Sequence, residues 1–186
     1  MAERQTDAAT LERLLEISSL MNSTLELDAL LGHIMSSATE LTGAETSSLL
    51  LLDEAAGELT VEVATGAPGE AVARERVPAG QGIAGWVVEH GEPLVVDDPK
   101  SDPRFYGGID EKTGFETRSI LAVPMTTRER TIGVIEVINK RAGAFDAMDE
   151  KVAGALANHA AIAVENARLY ARLADAVVTS RMSYRL

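Results

Sequence analysis

The 186-residue chain contains no cysteine, and this absence excludes several classes of chemistry. Without thiols the chain has no disulfide, no thiolate metal site, no cysteine nucleophile and no thioether-linked chromophore. The three histidines, His33, His90 and His159, fall on different predicted helices with no shared spacing. The sequence therefore predicts no metal site and no cofactor. Nucleophile-elbow, P-loop and Ser-His-Asp patterns are absent as well, so we expect no catalytic residues.

Basic residues are scarce: 17 Lys and Arg stand against 29 Asp and Glu, which gives a net charge of −12. Such an acidic chain is not expected to bind nucleic acid or an anionic membrane surface. No apolar run is long enough to cross a bilayer, and no signal-peptide pattern begins at Met1. We therefore expect a soluble, cytoplasmic protein. Its length and its hydrophobic content of 46% indicate one domain with helical extensions.

Two apolar runs separated by a polar break predict an antiparallel hairpin, with strands at Ser119–Met125 and Thr131–Asn139. Each run is apolar at both alternating positions, which is typical of a sheet covered on both sides. Glu136 is the only charged residue between Ile132 and Ile138. It either faces a pocket or reaches solvent at a sheet edge, and we favour the sheet edge.

The rest of the chain divides into short helices and strands at Gly, Pro and Asp breaks. Helices are predicted over Thr10–Met21, Asp28–Leu41, Ile83–His90, Ile109–Gly114 and Asp146–Leu173. Further strands are predicted over Thr46–Leu52, Leu59–Ala64 and Pro93–Val96. The segment Asp97–Gly108 is predicted to be a loop. Its acidic residues Asp97, Asp98 and Asp102 indicate a solvated segment in preference to a cation site, because their spacing fits no known oxygen-ligand loop.

The last predicted helix is apolar over most of its circumference and therefore needs two surfaces to bury against. One is the sheet; the other is the N-terminal helix, the same helix of a second subunit, or both. We favour a homodimer whose interface consists of Leu11, Leu15, Val152, Leu156, His159, Ala163, Tyr170 and Leu173. A second stripe contains Ala155, Ile162 and Leu169. The alternative is a monomer whose own N-terminal helices cover this face.

Four fragments, in this order, resemble a GAF domain over about Leu25–Leu173. They are GQGIAGWVVEHGEPLVVDDPKSDPRF (Gly80–Phe105), SILAVPM (Ser119–Met125), IGVIEVINK (Ile132–Lys140) and ANHAAIAVENARLY (Ala157–Tyr170). The resemblance implies an α+β, GAF-like (profilin/PAS-like) fold: a central antiparallel sheet, terminal helices on one face and a short-helix and loop lid on the other. It implies an N-terminal signalling helix at 1–24, a GAF domain at 25–173 and a linker at 174–186. The linker would lead to an output domain: a kinase, a cyclase, a phosphatase or a transcriptional activator.

Within that family, Asn139, Lys140, Phe145, Asp149 and Glu150 match the NK…Fxxx(DE) pattern of cyclic-nucleotide-binding members. A Lys at a strand end and an acidic residue one turn into the next helix can clamp the connecting loop, with Phe145 as its apolar plug. We therefore interpret the motif as structural. Binding of cAMP or cGMP remains an alternative.

The resemblance also places a ligand pocket between the sheet and the segment Gly82–Phe105. We expect its lining to consist of Ser48, Leu50, Ile83, Ala84, Trp86, Asp97, Asp98, Phe105, Tyr106, Ile109, Ser119 and Leu121. An apolar wall with a few hydroxyls and carboxylates suits a small organic ligand. The start of the short helix near Gly82 offers N–H groups to an anionic part of that ligand. For Trp86, packing in the core is an equal alternative.

The sequence thus predicts a non-catalytic sensory module that binds a small cytoplasmic ligand and passes the signal through its terminal helices. Two relatives are excluded: the GAF branch that reduces free methionine sulfoxide works through cysteines, and covalent bilin photoreceptors need one. The competing hypothesis is a ligand-free dimerisation scaffold, with the pocket filled by Trp86, Phe105 and Tyr106.

Overall fold

A computed structural model of the chain describes residues 26–66, 69–128 and 130–183. Its centre is a six-stranded antiparallel sheet with the strand order β3-β2-β1-β6-β5-β4. Strands β1 to β6 span Ala44–Asp53, Glu58–Ala64, Arg76–Pro78, Leu94–Val96, Ile120–Thr126 and Thr131–Lys140. Helix α1 covers residues 26–42. Helices α2 to α5 span Gly69–Val72, Gly82–His90, Gly108–Thr113 and Ala147–Ser183, and Pro99–Ser101 form a 3-10 turn. The predicted α+β fold is confirmed.

The predicted hairpin is formed by β5 and β6, which pair from Ile120 opposite Ile138 to Thr126 opposite Thr131. Strand β5 is buried at five of its seven positions and β6 at six of ten, in agreement with their apolar runs. Since side chains alternate along a strand, each strand supplies two separate layers of core. Helices α1 and α5 cover the first layer, and helices α2, α3 and α4 cover the second.

The first layer is covered by α1 and by the start of α5. The hydroxyl of Ser47 on β1 donates to the Met35 carbonyl of α1 at 3.0 Å and lies 2.7 Å from the Thr39 hydroxyl. Helix α5 buries four alanines on one side: Ala153, Ala157, Ala160 and Ala161. These small side chains allow the helix backbone to pack closely against its neighbours.

Helix α3 forms the main cover of the second layer. It buries Ile83, Ala84 and Val87, which pack in one cluster with residues of β1, β2, β5 and β6. It ends at Gly91, as predicted, because Gly91 adopts the left-handed conformation at φ 65° and its N–H donates to the Val87 carbonyl.

Helix α5 continues to Ser183, beyond the end predicted at Leu173. Residues 174–183 contain neither glycine nor proline, so nothing in the sequence terminates the helix there. Residues 31–162 form one compact unit, and residues 26–30 and 163–183 belong to a second. The predicted helix over Thr10–Met21, with Leu11 and Leu15, lies outside the described residues. No helix in the described ranges has an apolar stretch that could cross a membrane.

Candidate ligand-binding site

A cavity of about 90 Å³ lies between the sheet and the layer formed by α2, α3 and α4. Strands β1, β5 and β6 supply its floor, α3 one wall, and the segment around α4 its roof. The lining residues are Thr46, Ser47, Ser48, Leu50, Val61, Ala64, Val72, Val77, Gln81, Gly82, Ile83, Ala84, Phe105, Tyr106, Ile109, Asp110, Phe115, Thr117, Ile120, Glu136 and Ile138. Most of these side chains are apolar, and the polar ones are mainly hydroxyls.

Glu136 is the only charged residue that the sheet contributes to this lining. Its direct neighbours across the sheet are small: Ser48 on β1 and Ala122 on β5. Because neither neighbour fills the space beside the carboxyl group, the cavity opens at this position. The interpretation that Glu136 reaches solvent at a sheet edge was wrong, since β6 lies in the middle of the sheet between β1 and β5.

Glu136 is half-buried, and it lines the cavity. Burial raises the pKa of Glu136 to about 7, although a hydrogen bond with the Ser48 hydroxyl lowers it. In the described part of the chain, Glu136 forms no ion pair with any lysine, arginine or histidine. A glutamate of this kind changes its charge near neutral pH, where an ordinary glutamate is fully ionised.

The roof of the cavity depends on close packing around Tyr106. A Cβ atom at Gly82 would lie 3.2 Å from the Cβ of Tyr106, and one at Gly108 would lie 2.8 Å from its ring. Gly82 also has a left-handed backbone at φ 74°, which favours glycine, whereas a side chain at position 108 would require the exposed Tyr106 ring to move aside. Asp110 fixes the far side of the roof, because its carboxylate accepts hydrogen bonds from the Thr117 N–H at 2.9 Å and from the Thr117 hydroxyl at 2.7 Å.

Surface ion pairs connect the roof to its surroundings. Lys112 of α4 lies 2.9 Å from Glu75, and Lys100 lies 2.7 Å from Glu116. Ion pairs between exposed side chains contribute little to stability, so these two pairs add little to the contacts of Tyr106 and Asp110 that hold the roof.

Seven of the twelve residues predicted to line the pocket do so: Ser48, Leu50, Ile83, Ala84, Phe105, Tyr106 and Ile109. The other five are not part of the lining: Trp86, Asp97, Asp98, Ser119 and Leu121. On β5 the cavity is lined by Ile120, so strand alternation directs Ser119 and Leu121 to the opposite face of the sheet.

Trp86 and the two aspartates lie outside the cavity for separate reasons. The Trp86 ring stacks on His90 with centroids 4.1 Å apart, and the Arg104 guanidinium lies 5.1 Å from the ring centroid. Asp97 and Asp98 are exposed, and Asp98 accepts a hydrogen bond from the Ser101 hydroxyl. Across the described ranges, no group of His, Cys, Asp and Glu is placed to hold a metal ion.

Two acidic lining residues, Glu136 and Asp110, were missing from the predicted pocket. For Glu136 the sequence carried a usable signal. Pairing the predicted strands β1 and β6 with Ser48 facing the pocket brings Glu136 to the same face, because these residues are direct cross-strand partners. No such signal exists for Asp110, since its position depends on the path of an irregular segment.

The NK…Fxxx(DE) residues lie at the end of β6 and the start of α5, and none of them lines the cavity. The Lys140 ammonium donates to both carboxylate oxygens of Asp149 at 2.8 Å and to the Thr42 carbonyl of α1 at 2.7 Å. The Phe145 ring lies buried beside it, 5.8 Å from the ammonium nitrogen. Lys140 thus joins β6, α1 and α5 at one point. Glu150 is partly buried in the first turn of α5.

Asn139 is almost completely buried and makes four hydrogen bonds. Its carbonyl oxygen accepts from the N–H groups of Arg118 at 2.7 Å and Ser119 at 3.2 Å. Its amide group donates to Glu45 at 3.0 Å and to the Glu116 carbonyl at 2.9 Å. These contacts hold the segment that leads into β5 against the end of β6.

The sequence model of the GAF domain family matches residues 24–165. Among curated proteins, a probable 3′,5′-cyclic phosphodiesterase of Caenorhabditis elegans is 31% identical over 177 residues, or 90% of this chain and 24% of that protein. The chain therefore spans about a quarter of the length of this relative.

Solved structures share the fold. The GAF domain of a phosphoenolpyruvate-protein phosphotransferase from Coxiella burnetii matches with a TM-score of 0.72 at 22% identity, over 84% of this chain and 96% of that one. Free methionine-R-sulfoxide reductase from Neisseria meningitidis, solved with its substrate, matches with a TM-score of 0.65 at 25% identity, over 77% of this chain and 81% of that one. The family match covers most of the chain and confirms the resemblance seen in the sequence: this chain belongs to the GAF domain family.

Proposed function

We propose that this GAF domain is a non-catalytic sensor that binds a small ligand in the cavity above β1, β5 and β6. The observation that carries the proposal is the carboxyl group of Glu136, which lines an otherwise largely apolar cavity without a cationic partner among the described residues. Burying an ionisable group without a partner costs free energy. Such groups are concentrated at functional sites, where a ligand compensates for that cost.

Strand β1 offers one route from the cavity to the helices. Ser47 and Ser48 both border the cavity, and the Ser47 hydroxyl contacts α1 on the other face through Met35 and Thr39. A ligand that shifts Ser48 would change the position of Ser47 against α1. The two arrangements would then be populated according to their affinity for the ligand.

Strand β6 offers a second route, because it carries Glu136 into the cavity and Lys140 to the start of α5. The hydrogen bonds of Lys140 to Asp149 and Thr42 make this strand end the point where β6, α1 and α5 meet. In this proposal ligand occupancy changes the packing of the terminal helices, which pass the signal onward.

We propose further that the helices act within a homodimer. Two predicted interface residues of α5, Tyr170 and Leu173, are exposed, whereas Val152 and Leu156 are partly buried. Met148, Ile162 and Leu169 are exposed as well and lie at spacings of seven or fourteen residues, so this stripe is a second candidate for the seam between two copies. The proposed domain plan keeps a signalling helix at 1–24, a GAF domain at 25–173 and a linker at 174–186.

The length of the relative, of which this chain covers about a quarter, supports the proposal of an attached output domain. A kinase, cyclase, phosphatase or transcriptional activator would fit a sensor of a cytoplasmic ligand. The relative is a probable cyclic phosphodiesterase, which favours cAMP or cGMP as a second candidate ligand. A cavity of about 90 Å³ is smaller than the several hundred Å³ typical of drug-sized ligands, so a nucleotide would require the roof to open.

The test is thermal unfolding of the chain against a panel of small amines, alcohols, carboxylates, cAMP and cGMP. A ligand that binds only the folded state raises the melting temperature. Ala84→Leu narrows the cavity and should abolish the shift, whereas Val88→Ala, on the same helix but outside the lining, should preserve it. If no compound shifts the melting temperature, the ligand-free dimerisation scaffold is the better description.

A further inference from the structure

We propose that the cavity selects a small organic cation, a primary amine with a short apolar body, and that Glu136 supplies the opposite charge. This inference rests on the proposed ligand-binding function and adds the charge class of the ligand. It follows from the charges that line the cavity, from the hydrogen-bonding groups around Glu136 and from the size of the space.

The charged groups that line the cavity are all acidic among the residues that the structure describes. Asp110 and Glu136 are these acidic residues, and the described lining contains no lysine, arginine or histidine. Both oxygens of Asp110 are engaged by Thr117, so Asp110 already has partners for its charge. Among the described side chains, the Ser48 hydroxyl is the group that stabilises the Glu136 carboxylate by a hydrogen bond. A cation beside Glu136 would supply the missing counter-charge, whereas an anion there would be repelled.

The groups around Glu136 also match the hydrogen-bonding capacity of an ammonium group. An ammonium has three N–H donors and no acceptor. The carboxylate of Glu136 and the hydroxyl oxygen of Ser48 are acceptors that lie side by side on neighbouring strands. The start of α3 at Gly82, where the helix dipole is positive, borders the cavity as well and disfavours a cation there. The amine is therefore directed to the β6 end of the cavity.

The size and the walls of the space limit the rest of the ligand. Leu50, Ile83 and Ile120 provide apolar walls beside the acidic floor. A cavity of 150 Å³ with such walls accommodates benzene. A space of about 90 Å³ suits a chain of a few carbon atoms.

Binding of an amine is then coupled to the protonation of Glu136. The other titratable groups that line the cavity are Tyr106, in the partly exposed roof, and Asp110, which Thr117 holds. Because burial raises the pKa of Glu136 to about 7, the carboxylate form is a minority at pH 6 and predominates at pH 8. An ammonium that binds the carboxylate should therefore bind about tenfold more tightly at pH 8 than at pH 6.

The experiment uses the full chain and n-propylamine, with propan-1-ol and propionate as neutral and anionic probes of similar size. Titration calorimetry and thermal unfolding are measured at pH 6 and pH 8. We expect saturable binding of n-propylamine that is about tenfold tighter at pH 8, and no comparable binding of the other two probes. Glu136→Gln keeps the size of the side chain and removes its charge, so it should weaken amine binding at least tenfold at pH 8. Glu62→Gln, at an exposed carboxyl group of β2, should leave binding unchanged.

Each other outcome overturns the inference. Amine binding that is undiminished in Glu136→Gln, or no tighter at pH 8, would remove Glu136 as its counter-charge. Binding of propan-1-ol or propionate in place of the amine would show that the cavity does not select a cation, and it would leave the sensor proposal intact. If neither these probes nor the wider panel bind, both proposals fail together.

Discussion

Glu136 is an ionisable residue in the middle of a buried strand, and its protonation links the stability of the fold to pH. Burial raises its pKa from the ordinary 4.5 to about 7, so the folded chain binds more protons than the unfolded chain between these values. This contribution to stability is fully present below pH 4.5 and is lost as pH rises through 7. A shift of this size corresponds to about 3 kcal/mol.

Glu136→Gln should remove this pH dependence. We expect the free energy of unfolding of the wild-type chain to fall, relative to that of the variant, by about 2–3 kcal/mol between pH 5 and pH 8. Urea unfolding of both chains at each pH gives the difference, in which the other titrating groups cancel. A difference that stays constant over this range would show that Glu136 titrates as an ordinary glutamate.

Asn139 combines a left-handed backbone, at φ 60°, with four hydrogen bonds from one buried side chain. Its amide group also acts on Glu45, whose pKa is lowered by hydrogen bonds from Asn139 and Arg118. Asn139→Gly keeps the backbone conformation and removes the side-chain bonds, so it should destabilise the fold by about 2–4 kcal/mol.

Asn139→Ala should cost about 1–2 kcal/mol more than Asn139→Gly, because alanine does not readily adopt the left-handed conformation. Chemical denaturation of the two variants separates the contribution of the hydrogen bonds from that of the backbone. Equal stabilities for the wild-type chain and the glycine variant would contradict this account of the side chain.

At the scale of secondary structure, the sequence predicted strands and helices well because their patterns are strong. The apolar run Ile132–Ile138 was predicted as a strand of a sheet covered on both faces, and it lies in β6. Helix α3 ends before Gly91, as predicted. The face that each strand turns to the cavity was predicted less well. On β5 the lining residue is Ile120 and not Ser119 or Leu121, because in a strand that is apolar on both faces the composition does not distinguish the two.

Close contact between β1 and β6 depends on Gly133. A Cβ atom there would overlap the Leu50 carbonyl oxygen and would lie 3.1 Å from the Leu51 side chain and 3.2 Å from the Met125 sulfur. Gly133→Ala should therefore push the central strands apart and destabilise the fold by about 3 kcal/mol. Thermal and urea unfolding measure this change.

Gly154 of α5 is the matched control, since a Cβ atom there meets nothing within 4 Å. Gly154→Ala should stabilise the fold by about 0.5–1 kcal/mol, because alanine favours a helix over glycine. If Gly133→Ala destabilised the fold no more than Gly154→Ala, the spacing of β1 and β6 would not depend on the absence of a side chain at position 133.

At the scale of the whole molecule, the fold followed from the sequence because four fragments in order identify the family. The cavity did not follow as directly. Its position depends on which small residues face each other across the sheet, such as Ser48 and Ala122 on either side of Glu136. Its roof depends on the irregular path between α3 and β5, where Tyr106 passes between two glycines. Neither feature has a periodic signal in the sequence.

Association into a dimer is the property of the whole molecule that the proposed signalling requires. Two copies would each carry a charge of −12 and repel one another, so an apolar seam must supply the attraction. Ile162 is 61% exposed and Met148 64% exposed, and the proposed dimer would bury both side chains. In that proposed dimer, Ile162→Glu should place two carboxylates opposite each other in the seam and weaken association roughly 100-fold.

Sedimentation velocity over a range of concentrations would measure this change. Thr126→Glu is the control, because it adds the same charge at an exposed end of the β5–β6 hairpin and should leave the dimer intact. A dimer that survives Ile162→Glu would place the interface elsewhere. A wild-type chain that stays monomeric at high concentration would mean that the exposed face of α5 meets another partner, and the signal would then leave the domain without a second copy.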